Sequence, residues 1–146
     1  KKWGVNNFLS VCESLEKKIN SKIQIHALIG PDEKKEKKLL QDAKKLNPLI
    51  NIYENISISD ISKLTLDCDI TIANDCGPSH VSQCLQNGFI GIFDKEKKEW
   101  FYKNSLSAYL IPKNDKISDI STESVIKEAF KIINIKYENK FEDITY

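Results

Sequence analysis

The chain has 146 residues, 40% of them hydrophobic and 29% charged, which suits one domain with a buried core. Its 22 basic residues, all lysine, balance 21 acidic residues to a net charge of +1. That balance argues against a nucleic-acid partner, and no apolar run approaches the roughly 20 residues of a membrane span.

Helical and extended patterns alternate along the chain. Apolar residues recur at helical spacing from Phe8 to Ile19, with Asn6 or Asn7 placed to cap that helix. The same spacing predicts four more helices, at about Glu33–Leu46, Ile61–Cys68, Pro78–Gln86 and Val125–Ile133. Ser57 precedes the second of these helices and Ser121 precedes the fourth. Apolar runs predict five strands, at Lys22–Ile29, Ile50–Tyr53, Asp69–Ala73, Phe89–Phe93 and Ala108–Ile111. No period marks Ile135–Tyr146.

This alternation predicts an α/β fold with a mostly parallel sheet and helices on both faces. The first predicted element is a helix, so we expect the sheet to lack the strand that would precede it, as in a piece of a longer protein. The four cysteines (Cys12, Cys68, Cys76 and Cys84) lie in apolar or helical contexts. We therefore expect reduced thiols in a cytoplasmic protein.

Open parallel sheets bind ligands at the carboxyl ends of their strands, and the segment from Asn74 to His80 is the best candidate. Gly77 permits close backbone approach, and Pro78 suits the first turn of a helix. Free N–H groups of Gly77, Ser79 and His80, together with the helix dipole, would hold a phosphate. Alternatively, Asn74 and Asp75 only cap the helix.

Two other strand ends carry polar side chains. The Glu33 carboxylate could accept hydrogen bonds from ribose hydroxyls, or it could only compensate the dipole of the helix it begins. The loop from Phe93 to Glu96 could touch a ligand's distal group, or its charges could simply be solvated. Any bound phosphate must depend on backbone N–H groups, hydroxyls or lysines, since the chain has no arginine.

Three other patterns are weaker candidates for chemistry. Asp67-Cys68-Asp69 has the DxD form of a metal-binding string, but it precedes its strand and so belongs to the amino edge of the sheet. Cys76, His80 and Cys84 at helical spacing lack a fourth metal ligand, so we expect no metal and no cofactor. Cys76 with His80 could also form a thiol hydrolase, although Asn74 and Pro78 stand where a nucleophile elbow needs small residues.

The segment from Asn74 to His80 resembles the N-D-[ST]-G-P-x-H signature of glycosyltransferase family 9, which contains the ADP-heptose:lipopolysaccharide heptosyltransferases. Lys1-Lys2-Trp3 is similar to the family's K-x-W. Residues 28–33 are similar to its strand followed by G-P-x-E, and residues 57–69 to the segment before the signature strand. The similarity runs from Lys1 to about Phe93.

This resemblance implies that residues 1–146 form the Rossmann-like, C-terminal, donor-binding half of a GT-B glycosyltransferase, without its first strand and N-terminal acceptor domain. It implies inverting, metal-independent transfer of a sugar from a nucleotide diphosphate such as ADP-heptose. The acceptor would be lipopolysaccharide or another lipid-linked or surface glycan. The catalytic base would lie in the other domain, so the fragment alone would be inactive. The location would be cytoplasmic, with peripheral attachment to the inner face of the cytoplasmic membrane as a further option.

The resemblance also assigns donor-binding residues. Lys1 would lie on the phosphate side and Glu33 near the nucleoside. The diphosphate and sugar would be surrounded by Asp75, Cys76, Gly77, Pro78, Ser79 and His80.

Three positions depart from the family pattern. Cys76 replaces a hydroxyl residue, Gly4 stands where the family has proline, and Asp94-Lys95-Glu96-Lys97 replaces a loop with glycine and threonine. The Cys76 substitution and the changed loop after Phe93 motivate an alternative function, a nucleotide-binding module that has lost transfer activity.

Overall fold

Helices and strands alternate in the computed structural model, which describes residues 2–96, 99, 101–138 and 141. The helices are α1 (Val5–Ile19), α2 (Lys34–Leu46), α3 (Ile58–Asp67), α4 (Gly77–Leu85) and α5 (Thr122–Lys136). The strands are β1 (Ile25–Ile29), β2 (Ile50–Glu54), β3 (Thr71–Asn74), β4 (Phe89–Ile92) and β5 (Ser107–Leu110), and a short 3-10 helix covers Ile117–Asp119.

Serine side chains begin two of the helices, as the sequence predicts. The Ser57 hydroxyl accepts a hydrogen bond from the Asp60 N–H at 3.1 Å, and Ser121 does the same for Ser124 at 3.2 Å. Each bond satisfies an amide that has no partner within its own helix. These two boundaries therefore follow from local chemistry alone.

The predicted cap of α1 is wrong. Neither Asn6 nor Asn7 caps this helix, because both lie inside its first turn. The N-cap is Gly4, whose backbone is extended and whose residue type offers no capping side chain. At the other end of the chain, α5 runs to Lys136, slightly into the segment predicted to lack a period.

All strand pairs among the described residues are parallel, and they form two sheets. The first sheet pairs β1 with β2, with Ile25 opposite Ile50. The second has the order β3-β4-β5, with Thr71 opposite Phe89 and Phe89 opposite Ser107. The predicted parallel α/β architecture is confirmed.

Helix α1 packs against the cores of both sheets. Val11 and Leu15 belong to a large cluster with β4 and α5, whereas Val5 and Leu9 pack on a smaller cluster of Ile29, Leu40 and Ile50. Helix α1 also contacts α5 and α2, while α3 contacts α4. The helices thus cover both faces of a Rossmann-like unit.

Side-chain hydrogen bonds satisfy backbone carbonyls at the amino edge of the second sheet. The Asn87 amide donates to three backbone carbonyls near the end of α3, and the Lys136 ammonium donates to the carbonyls of Asp69 at 2.6 Å and Asn87 at 3.0 Å. The string from Asp67 to Asp69 precedes β3 and therefore lies at this amino edge, as predicted.

No helix in the described part of the chain has the length and apolar character needed to cross a membrane.

Candidate functional site

The carboxyl end of β1 carries a preorganised carboxylate. Glu33 accepts a hydrogen bond from the Gly30 N–H at 2.8 Å on one oxygen, and its other oxygen is 2.6 Å from the Lys2 ammonium. The Glu33 side chain is 25% exposed and that of Lys2 is 53% exposed. The carboxylate is therefore fixed in orientation while part of it stays open to solvent.

The contacts between Lys2 and Glu33 stabilise the charged form of both side chains. Partial burial alone would raise the pKa of the Glu33 carboxyl, but the hydrogen bonds from Lys2 and Gly30 outweigh it and hold the pKa below its ordinary value. The hydrogen bond to Glu33 also raises the pKa of the Lys2 ammonium. Glu33 is thus an ionised hydrogen-bond acceptor at neutral pH.

The turn after β3 is closed mainly by its own residues. The buried Ser79 hydroxyl donates to the Cys76 carbonyl at 2.7 Å, and the Ser79 N–H donates to the same carbonyl at 3.1 Å. In return, the Cys76 N–H donates to the Ser79 hydroxyl at 3.4 Å. The predicted free N–H of Ser79 is therefore wrong, because this capping box uses it.

Gly77 is the residue of this turn that has open space beside it. Its N–H is the first amide of α4 and has no carbonyl within the helix to bind, and Pro78 carries no N–H. The His80 N–H, another predicted donor of this turn, stays a prediction. A Cβ atom built on Gly77 would meet no protein atom within 4 Å. The space beside Gly77 on its Cβ side is therefore open.

Asp75 and His80 lie on the same rim as Gly77. The His80 Nε2 atom is 3.8 Å from an Asp75 carboxylate oxygen, and both side chains are partly exposed. The pair places an acceptor and a group that can carry positive charge beside the open amide.

Asn74 links the end of β3 to Trp3 and does not cap α4, whose N-cap is Cys76. The alternative that Asn74 only caps the helix is therefore wrong. Its side-chain oxygen accepts the Trp3 N–H at 3.0 Å, while the neighbouring Lys2 binds Glu33. The Trp3 indole is buried and donates to the Ile120 carbonyl at 3.0 Å. Residues 2 and 3 thus hold the end of β1 and the end of β3 at one edge.

Sequence reasoning overlooked the contributions of Lys2 and Trp3. The family pattern emphasises Lys1, which lies outside the described residues. A signal was available for Trp3, because an aromatic residue directly before an amphipathic helix commonly packs back onto its first turns. Its ring meets Phe8 edge-on at 5.0 Å.

The predicted loop after β4 lies beside a cavity of about 420 Å³. The lining residues lie in the segments that follow β4 and β5, including the start of the 3-10 helix: Asp94, Lys95, Asp115, Lys116, Ile117 and Ser118. This cavity belongs to the same carboxyl edge of the second sheet as the turn after β3.

The environment of Cys76 contradicts the activated thiol that a hydrolase would need. Desolvation raises the pKa of the thiol, and the Asp75 and Glu33 carboxylates raise it further. Among the described residues, Cys76, His80 and Cys84 are not part of any group of three that could hold a metal.

Comparison with known proteins connects this arrangement to one family. A crystal structure of a family 9 glycosyl transferase from Veillonella parvula DSM 2008 shares the fold with a TM-score of 0.65 at 18% identity. The match covers 91% of this chain and 42% of that one, so the chain spans about two fifths of that protein's length. Comparison with the curated proteins found no match. The family model "Glycosyltransferase family 9 (heptosyltransferase)" matches residues 1–127, and the chain therefore belongs to glycosyltransferase family 9.

Proposed function

We propose that residues 1–146 form the donor-binding domain of a glycosyltransferase that uses a nucleotide-diphosphate sugar, such as ADP-heptose. Transfer would proceed with inversion and without a metal, to a lipopolysaccharide or other surface glycan acceptor held by a further domain. The observation that carries the proposal is the pair of contacts by which the adjacent residues Lys2 and Trp3 bind Glu33 after β1 and Asn74 at the end of β3, at one carboxyl edge.

The nucleoside end of the donor is assigned to Glu33. An ionised carboxylate has about four lone-pair directions, and Lys2 and Gly30 occupy one on each oxygen. The remaining directions can accept ribose hydroxyls. Because Lys2 and Gly30 fix the carboxylate, little side-chain entropy is lost when the ligand binds.

The diphosphate is assigned to the turn after β3. We place it at the Gly77 N–H and the positive end of the α4 dipole, where a Cβ built on Gly77 would also find open space. A single amide cannot balance a diphosphate, so a nearby cation is needed, and we assign this role to Lys1.

The sugar would then extend toward the cavity between Asp94 and Ser118, which lies along the same sheet edge. In this assignment the chain binds and orients the donor, while the catalytic base comes from the acceptor domain. The isolated chain should therefore bind a nucleoside diphosphate weakly and transfer no sugar. Such an enzyme would act in the cytoplasm, at the inner face of the membrane that carries a lipid-linked acceptor.

A second candidate function is a nucleotide-binding module without transfer activity. Cys76 in place of a hydroxyl residue and the charged loop after β4 favour it, because both lie where the sugar would be held. Turnover of a nucleotide sugar by a longer protein that includes this domain would exclude this candidate.

Titration of ADP and adenosine by calorimetry, with and without a chelator, tests the proposed site. ADP should bind more tightly than adenosine, and chelation should leave both affinities unchanged. Lys1→Ala should weaken ADP binding by roughly tenfold or more, which corresponds to about 1.4 kcal/mol, and should barely change adenosine binding.

Lys2→Ala is the matched control for charge. It removes the partner of Glu33 at the nucleoside end, so it should affect ADP and adenosine equally and less severely. Equal losses for both ligands in Lys1→Ala, or a large loss of affinity on chelation, would contradict the proposal.

A further inference from the structure

The face that helix α4 buries is polar. Its buried residues are Ser79, Ser82 and Gln83, and the last two follow the first by three and four positions, so all three share one side of the helix. Helix α4 contacts α3, β3 and β4, and a helix in such a place usually turns apolar side chains inward. Ser79 is used by the turn after β3, whereas the other two residues need a different explanation.

Gln83 is the residue of this face that makes a long-range contact. Its side-chain oxygen accepts a hydrogen bond from the Tyr102 N–H at 3.0 Å, although the two residues are 19 positions apart. Because a backbone N–H can only donate, the oxygen of the amide must face Tyr102, and its NH2 group is left over. Gln83 is 3% exposed, and among the described residues neither its Nε2 atom nor the Ser82 hydroxyl has a hydrogen-bond partner.

Folding stability alone does not account for a half-paired amide at this position. A buried donor without a partner is unfavourable, and this offsets much of the gain from the bond to Tyr102. An apolar side chain of similar size would avoid that unpaired donor. What Gln83 provides, and an apolar residue would not, is a fixed position for the Tyr102 backbone.

Tyr102 belongs to the segment between β4 and β5, and two described parts of this segment contact one aromatic ring. Phe101 meets the Tyr109 ring edge-on at 4.7 Å, and Glu96 accepts a hydrogen bond from the Tyr109 hydroxyl at 3.2 Å. The two residues directly before Glu96 line the cavity that we assign to the sugar. A continuous series of contacts therefore runs from Gln83 to that cavity.

The other end of α4 forms the turn that we assign to the diphosphate. Gln83 lies six residues after Gly77 in the same helix, or about 9 Å along its axis at 1.5 Å per residue. The bond from Tyr102 to Gln83 thus joins the helix of the diphosphate turn to the segment of the sugar cavity. Any movement of one relative to the other must break this bond.

We propose that Gln83 is a positioning residue for the sugar of the donor. Its amide oxygen holds the segment between β4 and β5 at a fixed distance from α4, and so sets the distance between the diphosphate turn and the sugar cavity. Because it is buried, Gln83 acts through this segment and not by contact with the donor. This inference rests on the proposed function and names the residue that aligns two parts of that site.

Calorimetric titration with ADP and with ADP-heptose tests the inference through the ratio of the two affinities. The wild type should bind ADP-heptose more tightly than ADP. Gln83→Met keeps a side chain of similar size without the oxygen, and it should lower the ratio by roughly fivefold, the size of one net hydrogen bond, while the affinity for ADP stays the same. Gln83→Asn is one methylene shorter, withdraws the oxygen from Tyr102, and should lower the ratio in the same way if methionine prevents folding.

Two further variants separate positioning from a general effect on folding. Ser82→Ala is the matched control, because it removes the neighbouring buried hydroxyl, which has no partner among the described residues, and it should change neither affinity. Gln83→Glu retains an oxygen that can accept the Tyr102 N–H, and it should restore most of the wild-type ratio.

The outcomes distinguish this inference from the function on which it rests. A ratio of affinities that is the same in the wild type, Gln83→Met and Gln83→Asn would overturn the positioning role, and so would an equal loss of both affinities. Absence of ADP binding by the wild type would instead overturn the proposed function, and this inference with it.

Discussion

Replacing Gly77 with alanine separates ligand binding from folding. The φ angle of Gly77 lies outside the left-handed region, and an added Cβ would meet no protein atom within 4 Å. Alanine is a better helix former than glycine by about 0.5–1 kcal/mol. The free energy of unfolding of Gly77→Ala should therefore equal or slightly exceed that of the wild type.

Binding should respond in the opposite direction. In the proposed complex a phosphate oxygen accepts the Gly77 N–H, and the alanine methyl group would stand in the space through which the phosphate approaches. A hydrogen bond to a charged group contributes about 1.5–3 kcal/mol. Since 1.4 kcal/mol is tenfold in affinity, ADP should bind roughly 10–100-fold more weakly.

The assay is calorimetric titration of ADP together with urea unfolding of the same samples. Gly4→Ala is the matched control, because it is the same change at another helix start where a Cβ would also meet nothing within 4 Å. Its ADP affinity should equal that of the wild type. Unchanged ADP binding in Gly77→Ala would refute the placement of the phosphate over this turn.

Three further outcomes are expected from the structure. Gly88→Ala should lower the free energy of unfolding, measured in urea, by about 2–5 kcal/mol. Gly88 has φ +93°, and an added Cβ would lie 2.7 Å from the Asp69 carbonyl oxygen. A loss below about 1 kcal/mol would contradict this expectation. Glu33→Gln should cost about 0.5–1 kcal/mol at pH 7, after allowing for the exposure of Lys2. Because the pKa of Glu33 is lower in the folded state, this stability difference between wild type and variant should be present above pH 4.5, the ordinary pKa of the group. It should disappear as the pH falls through the lower folded-state pKa. A stability difference that persists at about pH 3 would argue against this role of Glu33. At pH 8, iodoacetamide should alkylate Cys76 more slowly in the folded chain than in urea, as measured by mass spectrometry. The reason is that desolvation raises the pKa of the Cys76 thiol in the folded chain. Faster alkylation of the folded chain would contradict this.

Most secondary structure could be predicted from the sequence because it depends on short-range signals. The Ser57 and Ser121 caps each involve residues three apart, and among the described residues apolar periodicity located each α-helix and strand within a few residues. It did not find the short 3-10 helix. The strand ends could also be assigned to one edge of the sheet, since the carboxyl ends of parallel strands share one side.

The contacts that assemble the site were not predictable in the same way. Trp3 and Asn74 are 71 positions apart, and Lys2 and Glu33 are 31 apart, so no local pattern pairs them. The inward turn of Ser79 was missed for another reason. A cysteine with a serine three residues later is an unusual capping box, and composition favours Asn74 or Asp75 as the cap.

The position of Trp3 makes changes at the proposed donor-binding edge observable by fluorescence. Its backbone is attached to the turn after β3 through Asn74, and its indole is attached to the segment before α5 through the Ile120 carbonyl. Any movement of that turn must either break the first bond or shift the indole within its buried environment, and indole emission depends on both hydration and hydrogen bonding. In a Trp100→Phe background, tryptophan fluorescence would follow ligand arrival in real time without an added label.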